Sequence, residues 1–249
     1  MLKQERHKLI LDKLKMSKKV LSKDLSGLLF VSEDTIRRDL KELEVKDLIY
    51  KVHGGALLKE SRVRSYDERS TSDIEQKKKI AIKAVQLIKN GQVIIMSGSS
   101  TNLELAKIIP PKINATIYTY SLPIAVELSH HPSVEVIFIG GKLNKEAQVT
   151  VGIDVVKPIY NISADICFMG TDGIDLSRGL TEPNWEVSRI KNSMIETSNY
   201  VVVMCVSTRI NSVKRHSVVP INKVDTIISD INPDNEIFDA FKAEKINIL

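Results

Sequence analysis

The feature that most constrains this chain is a rhythm that begins after residue 90. Six short apolar runs rich in β-branched residues are Val93–Met96, Thr116–Tyr120, Val134–Ile139, Ile166–Met169, Tyr200–Val206 and Val224–Ile228. Between them lie stretches with helical spacing, Thr101–Ile109, Leu122–Ser129, Ile153–Asn161 and Asn184–Ser198. A strand that is apolar along its whole length must be covered on both faces. Strands that alternate with helices are joined by crossovers. The rhythm predicts a mostly parallel sheet with helices on both sides, a Rossmann-like α/β domain.

The first quarter of the chain has a different character. Of 36 Lys+Arg and 31 Asp+Glu, residues 1–64 hold 16 and 10, which leaves 20 and 21 for the other 185 residues. The whole formal excess of +5 therefore belongs to the head, which suggests a polyanionic partner for the head or simply a lysine-rich solvated surface. Residues 3–15 read as an amphipathic helix facing a core with Leu9, Ile10, Leu14 and Met16. Ser22 reads as the N-cap of a second helix ending near Leu29, and Ser32 as the cap of a third. In the third, Glu33 and Asp34 suit the positive end of the helix dipole, and Ile36, Leu40 and Leu43 form the buried stripe. Leu48–Val52 reads as a strand that runs into the glycine turn His53–Ala56.

Three helices with a short turn between the last two, followed by a glycine wing, predict a winged helix-turn-helix, with the helix-turn-helix at about 20–39. Leu25, Leu29, Val31 and Ile36 would pin the helices, and small Ser26 would let them approach. The candidate DNA-binding residues are Ser22, Ser32, Thr35, Arg37, Arg38 and Lys41, with Lys51 and His53 reaching from the wing. Short polar and basic groups near the start of a recognition helix suit base edges, and nearby cations suit phosphates. The plainer alternative is a surface helix with i,i+4 ion pairs such as Arg38 with Glu42. The expected division is a DNA-binding domain at 1–57, a polar linker at 58–72 and an α/β domain at 73–249, entered by a helix over Asp73–Asn90.

Three loops at strand ends are candidate ligand sites. Ser97-Gly98-Ser99-Ser100-Thr101 follows the first strand and opens a helix, so its N–H groups and hydroxyls suit an anion, although a plain serine-capped turn has the same composition. Gly170-Thr171-Asp172-Gly173-Ile174-Asp175 places carboxylates at a strand end, where open α/β sheets bind ligands and where aspartate also builds turns. Gly179-Leu180-Thr181 follows, then a helix carrying Glu186 and Lys191. Gly140-Gly141-Lys142 reads as a turn. No GxGxxG or Walker loop is present. Cys167 and Cys205 both lie in apolar runs, which fits buried thiols in a reducing compartment and no zinc framework. The longest uncharged stretches, Asn90–Leu103 and Ile113–Val126, have 14 residues each, short of the roughly 18 a membrane helix needs. The residues thus predict no metal, no cofactor, no membrane association and a cytoplasmic location.

VSEDTIRRDLKELEVKDLIYKVHGGA, from Val31 to Ala56, closely resembles the DeoR family of bacterial transcription regulators, with TIRRDL and HGGA aligned without a gap. From about Arg69 through QKKKIAIKAVQLIKNG to the C-terminus, the order of motifs resembles the family's effector domain, which is similar in fold to ribose-5-phosphate isomerase and the coenzyme A transferases. The resemblance implies a regulator, by family default a repressor of a sugar or polyol utilisation operon, whose grip on double-stranded operator DNA responds to a phosphorylated sugar. It implies effector contacts at Ser97, Gly98, Ser99, Ser100, Thr101, Asp172, Lys191 and Arg209, no catalytic residue, and a homo-oligomer, dimer or tetramer. Arg209 stands where the family often has lysine. Met96, Tyr120 and Val206 replace commoner polar residues, Phe30 a small turn residue and Asp47 a glycine. The alternative is an aldose–ketose isomerase with an appended head, in which Asp172, Asp175, Glu186 and Lys191 supply acid–base groups.

Overall fold

The computed structural model describes residues 2–17, 19–45, 48–58 and 65–249. The chain forms two compact units, residues 1–63 and 64–249.

The head consists of α1 (Lys3–Ser17), β1 (Lys19–Leu21), α2 (Ser22–Leu29), α3 (Glu33–Val45), β2 (Ile49–Val52) and β3 (Gly55–Leu58). Ile10, Leu14, Leu25, Leu29, Ile36, Leu40, Leu43 and Ile49 form one core, with Val31 partly buried against it. The three strands make an antiparallel sheet in the order β1-β3-β2, the wing of a winged helix. Leu9 departs from expectation. It is exposed, because α1 turns His7, Ile10 and Leu14 inward instead. Met16 and Asp47 fall outside what is described of side chains and backbone.

The two wing glycines serve different ends. Gly54 takes φ +78 in the turn, whereas Gly55 sits so close to the Val20 carbonyl that no Cβ fits. Of the two, only Gly54 takes positive φ. Phe30 ends α2 at φ 53, the left-handed region, and is 93% exposed. A β-carbon in that region costs about 1–2 kcal/mol, and so exposed a ring has little packing to lose. Phe30→Gly is therefore expected to stabilise the head by about 1 kcal/mol, read as a higher Tm for the full chain. An unchanged or lower Tm would show that the ring is held by contacts this account lacks.

The second unit opens with α4 (Tyr66–Thr71) and α5 (Ile74–Ala84). The region read as a polar linker over 58–72 thus contains a helix. Its start is fixed by a reciprocal cap, in which the Glu68 N–H donates to Ser65 Oγ and the Ser65 N–H to Glu68 Oε2. Residues 59–64 of that region lie outside the described residues. The helix expected over Asp73–Asn90 ends early. It tightens to a 3-10 turn at Val85–Leu87, and Ile88 is already extended.

Next come β4 (Val93–Met96), α6 (Ser100–Ala106), β5 (Ala115–Thr119), α7 (Leu122–Leu128) and β6 (Val134–Phe138). A hairpin of β7 (Lys142–Asn144) and β8 (Val149–Val151) leads to α8 (Ile153–Ile159) and β9 (Ile166–Gly170). The remainder is β10 (Gly173–Asp175), β11 (Gly179–Glu182), α9 (Trp185–Glu196), β12 (Val201–Met204), β13 (His216–Val219), β14 (Thr226–Ile228), α10 (Asp239–Ala243) and β15 (Asn247–Ile248).

Seven strands form a parallel sheet in the order β15-β14-β12-β9-β4-β5-β6. Alternate residues feed two cores. Ile95, Cys167, Met169, Val201 and Val203 face one side, and Ile94, Met96, Ile166, Phe168, Val202 and Met204 the other. This is why the strands read as continuous apolar runs. A separate antiparallel sheet of β10, β11 and β13 has no counterpart in the pattern of apolar runs. The order reverses between β4 and β9, so the chain leaves these adjacent strands in opposite directions. A crevice opens at their C-terminal ends, where α/β sheets place ligands.

Candidate functional site

In the head, α3 buries Ile36, Asp39, Leu40 and Leu43 and turns Arg37, Arg38 and Lys41 to solvent. Ser32 caps the helix, its Oγ accepting the Thr35 N–H at 3.2 Å and lying 2.9 Å from Thr35 Oγ1. Arg38 pairs with Asp34 at 2.7 Å and Arg37 with Glu33 at 3.8 Å, one turn earlier in each case. The expected Arg38 partner, Glu42, instead meets Lys3 at 2.8 Å. Lys51 and His53 are exposed on the wing. Ser22 is a correction. It is the first residue of α2, not its cap, and is buried with its N–H given to the Gly54 carbonyl at 2.8 Å. It ties helix to wing and offers no side chain to DNA.

The recognition helix is held from behind. Asp39 accepts Arg6 Nε at 2.6 Å and Nη2 at 3.0 Å, and His7 Nε2 lies 3.2 Å away, all in the seam between α1 and α3. Burial raises the Asp39 pKa and the Arg6 fork lowers it, for a net shift below the ordinary carboxylate value.

In the second unit, a pocket occupies the crevice at the β4–β9 reversal. Its walls come from α4 and α5 (Arg69, Asp73, Lys77), the loop after β4 (Gly98–Thr101), the loop after β9 (Gly170–Asp172), α9 (Lys191) and the turn after β12 (Val206, Arg209). Of the expected effector residues, Gly98, Ser99, Ser100, Thr101, Asp172, Lys191 and Arg209 are brought together here.

Ser97 is not among the lining residues. It is fully buried, and its Oγ accepts the Gly170 N–H at 2.9 Å and Asn102 Nδ2 at 3.1 Å. It locks β4 to β9 beneath the loop, so the expectation of a direct ligand contact there is corrected. Ser99 caps α6 by accepting the Asn102 N–H at 2.9 Å. Gly170 packs against the Ser99 side chain with no room for a Cβ. The loop is thus pinned from beneath, and Ser99, Ser100 and Thr101 line the pocket, the last two largely buried.

Two cations of the pocket were not legible as site residues. Lys77, in the charged run QKKKIAIK, is buried, with its ammonium donating to the Arg69 and Ser72 carbonyls. Burial lowers its pKa, and Arg69 and Arg209 add like-charge repulsion against the pull of Asp73. Arg69 lay in the supposed linker. Its Nε is buried and has no hydrogen-bond partner among the described residues. Arg69, Lys77 and Arg209 thus converge from three segments on one cavity.

Lys191 differs from these. Its ammonium donates to the Gly170 carbonyl at 2.7 Å and forms a buried ion pair with Glu182, so its charge is already matched. Burial pushes the Glu182 carboxyl up to about 7, against the attraction of Lys191. Asp172 stands half-buried at the pocket edge, whereas Asp175 builds a turn by accepting from Ser177 and Arg178. Glu186 and Gly140–Lys142 are not among the lining residues, and of Met96, Tyr120 and Val206 only Val206 is. Asp230, missed in the sequence, accepts the Ser207 N–H at 2.6 Å and Ser207 Oγ at 3.2 Å, fixing the turn that carries Arg209. Among the described residues no His/Cys/Asp/Glu cluster fits a metal ion, and no helix is long and apolar enough to cross a membrane.

A winged helix-turn-helix joined in one chain to an α/β unit with a crevice at the strand ends marks a DNA-binding transcription regulator of the helix-turn-helix type. Residues 6–62 match the DeoR-like helix-turn-helix domain and residues 72–231 the DeoR C terminal sensor domain, and the chain belongs to the DeoR family. It is 34% identical over 240 residues to the HTH-type transcriptional regulator GolR of Listeria innocua, covering 96% of this chain and 94% of that protein. It is 30% identical over 251 residues to the HTH-type transcriptional repressor GlcR of Bacillus subtilis, covering 100% and 96%. Identity to the glycerol-3-phosphate regulon repressor of Escherichia coli is 27% over 245 residues, 98% and 97% of the two chains. Among solved structures, ribose 5-phosphate isomerase A of Methanocaldococcus jannaschii aligns with a TM-score of 0.42 and 17% identity over 55% of each chain.

Proposed function

We propose that this chain is a cytoplasmic, cofactor-free repressor of a sugar or polyol utilisation operon, released from or fastened to its operator by a phosphorylated sugar. The single observation that carries the effector class is the convergence of Arg69, Lys77 and Arg209 on the pocket. Like charges brought together in a half-enclosed cavity repel one another, and a phosphate dianion relieves that repulsion. In this reading the phosphate lies on the Gly98–Thr101 edge, held by N–H groups, hydroxyls and Arg209. Asp172, at the opposite loop, accepts hydroxyls of the sugar. Lys191, already paired with Glu182, shapes the wall between them. Repressors among the relatives, one of them named for a glycerol-3-phosphate regulon, support the same direction.

The reading is of a regulator and not an isomerase, since the relatives that span nearly the whole chain are regulators. The reading also includes a homo-oligomer, dimer or tetramer, because two heads on one operator multiply affinity through effective concentration.

The test is calorimetry with matched pairs of sugars and polyols, phosphorylated and not. A charge-assisted bond from arginine to phosphate contributes about 1.5–3 kcal/mol, so Arg209→Ala should weaken the phosphorylated ligand roughly tenfold to a hundredfold. Equal affinity for phosphorylated and unphosphorylated partners would overturn the effector class.

A further inference from the structure

We propose that β6, the open edge of the parallel sheet, pairs with β6 of a second copy of this chain across a two-fold axis. The inference rests on the homo-oligomer reading and gives it a surface and a register.

The seven-stranded sheet has two edges, and they are built differently. At one end β15 is only two residues long, which blunts it. At the other, β6 runs for five residues, Val-Glu-Val-Ile-Phe. An apolar edge with unpaired backbone is a template for another strand, and proteins that stay monomeric cover or charge such edges. Here the one charge is turned away, since the Glu135 carboxylate accepts Thr116 Oγ1 of the neighbouring β5 at 3.0 Å. The Ile139 N–H donates inward to the Thr119 carbonyl at 2.8 Å. Hydrogen bonding alternates along a strand, so Ile137 and Glu135 also turn to β5, whereas Val134, Val136 and Phe138 turn their backbone groups outward. The outward N–H of Val134 is taken by His131 Nδ1 at 3.1 Å. Val136 and Phe138 keep N–H and C=O groups with no partner among the described residues.

These two residues decide both the partner and the register. An antiparallel two-fold centred on Ile137 sets Val136 of one copy opposite Phe138 of the other, and every one of their outward groups is then paired. A centre at Glu135 would place two carboxylates face to face, and a centre there or at Val136 would call on the Val134 N–H that His131 already holds. A strand from an unrelated protein has no reason to fit this register, whereas a second copy fits it by symmetry. Val134 and Val136 pack into the core that α7 covers with Ile124 and Leu128, so α7 lies over the face of β6 from which Phe138 also projects. Phe138 is 40% exposed there, and Leu122 and Val126 stand exposed one turn apart on α7. The two-fold gives each Phe138 a Val136 across the strands, an aromatic–β-branched pair that stabilises antiparallel pairing, and brings a second α7 to the same side.

Sedimentation velocity and disulfide trapping on the full chain test this. Wild type should sediment as a dimer or larger at micromolar concentration. Phe138→Lys puts a charge on the edge and should weaken self-association roughly tenfold or more with the melting temperature unchanged. Ile137→Cys places two thiols at the closely spaced pair on the axis, and mild oxidation should give a covalent dimer. The native Cys167 and Cys205 are buried and should not contribute. Glu135→Cys, which faces Ile139 in this register, should give none. A wild type that stays monomeric would overturn the homo-oligomer reading, leave the edge to a strand of another protein, and remove this proposal. A wild-type oligomer that Phe138→Lys leaves intact, or that Ile137→Cys fails to trap, would overturn the β6 pairing alone. Equal trapping by Glu135→Cys would overturn its register.

Discussion

Asp39→Ala is expected to destabilise the head severely while leaving the second unit folded. Asp39 is 3% exposed and Arg6 only 12%, so the fork between them is an ion pair largely shielded from water. Removing Asp39 takes away the acceptor of two Arg6 donors, and breaking a buried pair costs up to about 3–5 kcal/mol. A unit of residues 1–63 has a total stability of about 3–9 kcal/mol at the usual 0.05–0.15 per residue, so from about a third to all of it would be lost. The pH dependence follows in sign. The folded pKa of Asp39 is depressed, so its contribution is present above the unfolded carboxylate range and disappears as pH falls through the folded value. Far-ultraviolet melting should show the head's transition shifted far down or missing at neutral pH, and operator binding should weaken with it. A full-amplitude melt at the wild-type temperature would show that the Arg6–Asp39 pair does not hold α3 in place.

Arg37→Ala with Arg38→Ala should have the opposite profile, a folded head that has lost its operator. Both side chains are well exposed, at 65% and 80%. Their ion pairs to Glu33 and Asp34 lie within one helix, and such exposed pairs contribute only a few tenths of a kcal/mol, so DNA easily displaces them. If each arginine reads a base edge, the loss is about 1–3 kcal/mol apiece, roughly thirty-fold to twenty-thousand-fold for the pair. If both meet only phosphate, affinity falls equally on all sequences and the salt slope drops by about two. Melting temperature should stay near that of wild type. Fluorescence anisotropy with operator DNA decides the matter, and normal binding by the double variant would remove α3 from the DNA interface.

What was legible in the sequence was what depends on local pattern. The β-branched runs gave the parallel strands because both faces of each are buried. The apolar stripe of Ile36, Leu40 and Leu43 placed α3 and thereby its exposed arginines. The Ser99 and Ser32 caps belong to the same local chemistry. The Ser65-x-x-Glu68 signature of α4 was equally local and readable, but the surrounding polarity suggested a linker. What was not legible depends on partners far away in the chain. Lys77 looks like one of three solvated lysines until α5 is laid against the pocket. Ser97 looks like a ligand hydroxyl until Gly170, 73 residues on, donates to it. Asp230 supports the turn of Arg209 from 23 residues away. Glu182 and Lys191 neutralise each other across a strand and a helix that the sequence does not show to be neighbours.

The central claim is that a phosphorylated ligand in the β4–β9 crevice governs how tightly the head holds DNA. A ligand changes DNA affinity only if it binds the DNA-competent and DNA-incompetent arrangements unequally, and a variant that weakens the ligand alone must shift the dose and nothing else. The direct measurement is operator affinity of wild type and Arg209→Ala across a titration of the phosphorylated sugar that binds in calorimetry. The account predicts equal operator affinity for the two proteins without ligand, and a response in the variant that needs roughly ten to a hundred times more of it. A variant that responds at the wild-type concentration would place the phosphate elsewhere and contradict the account.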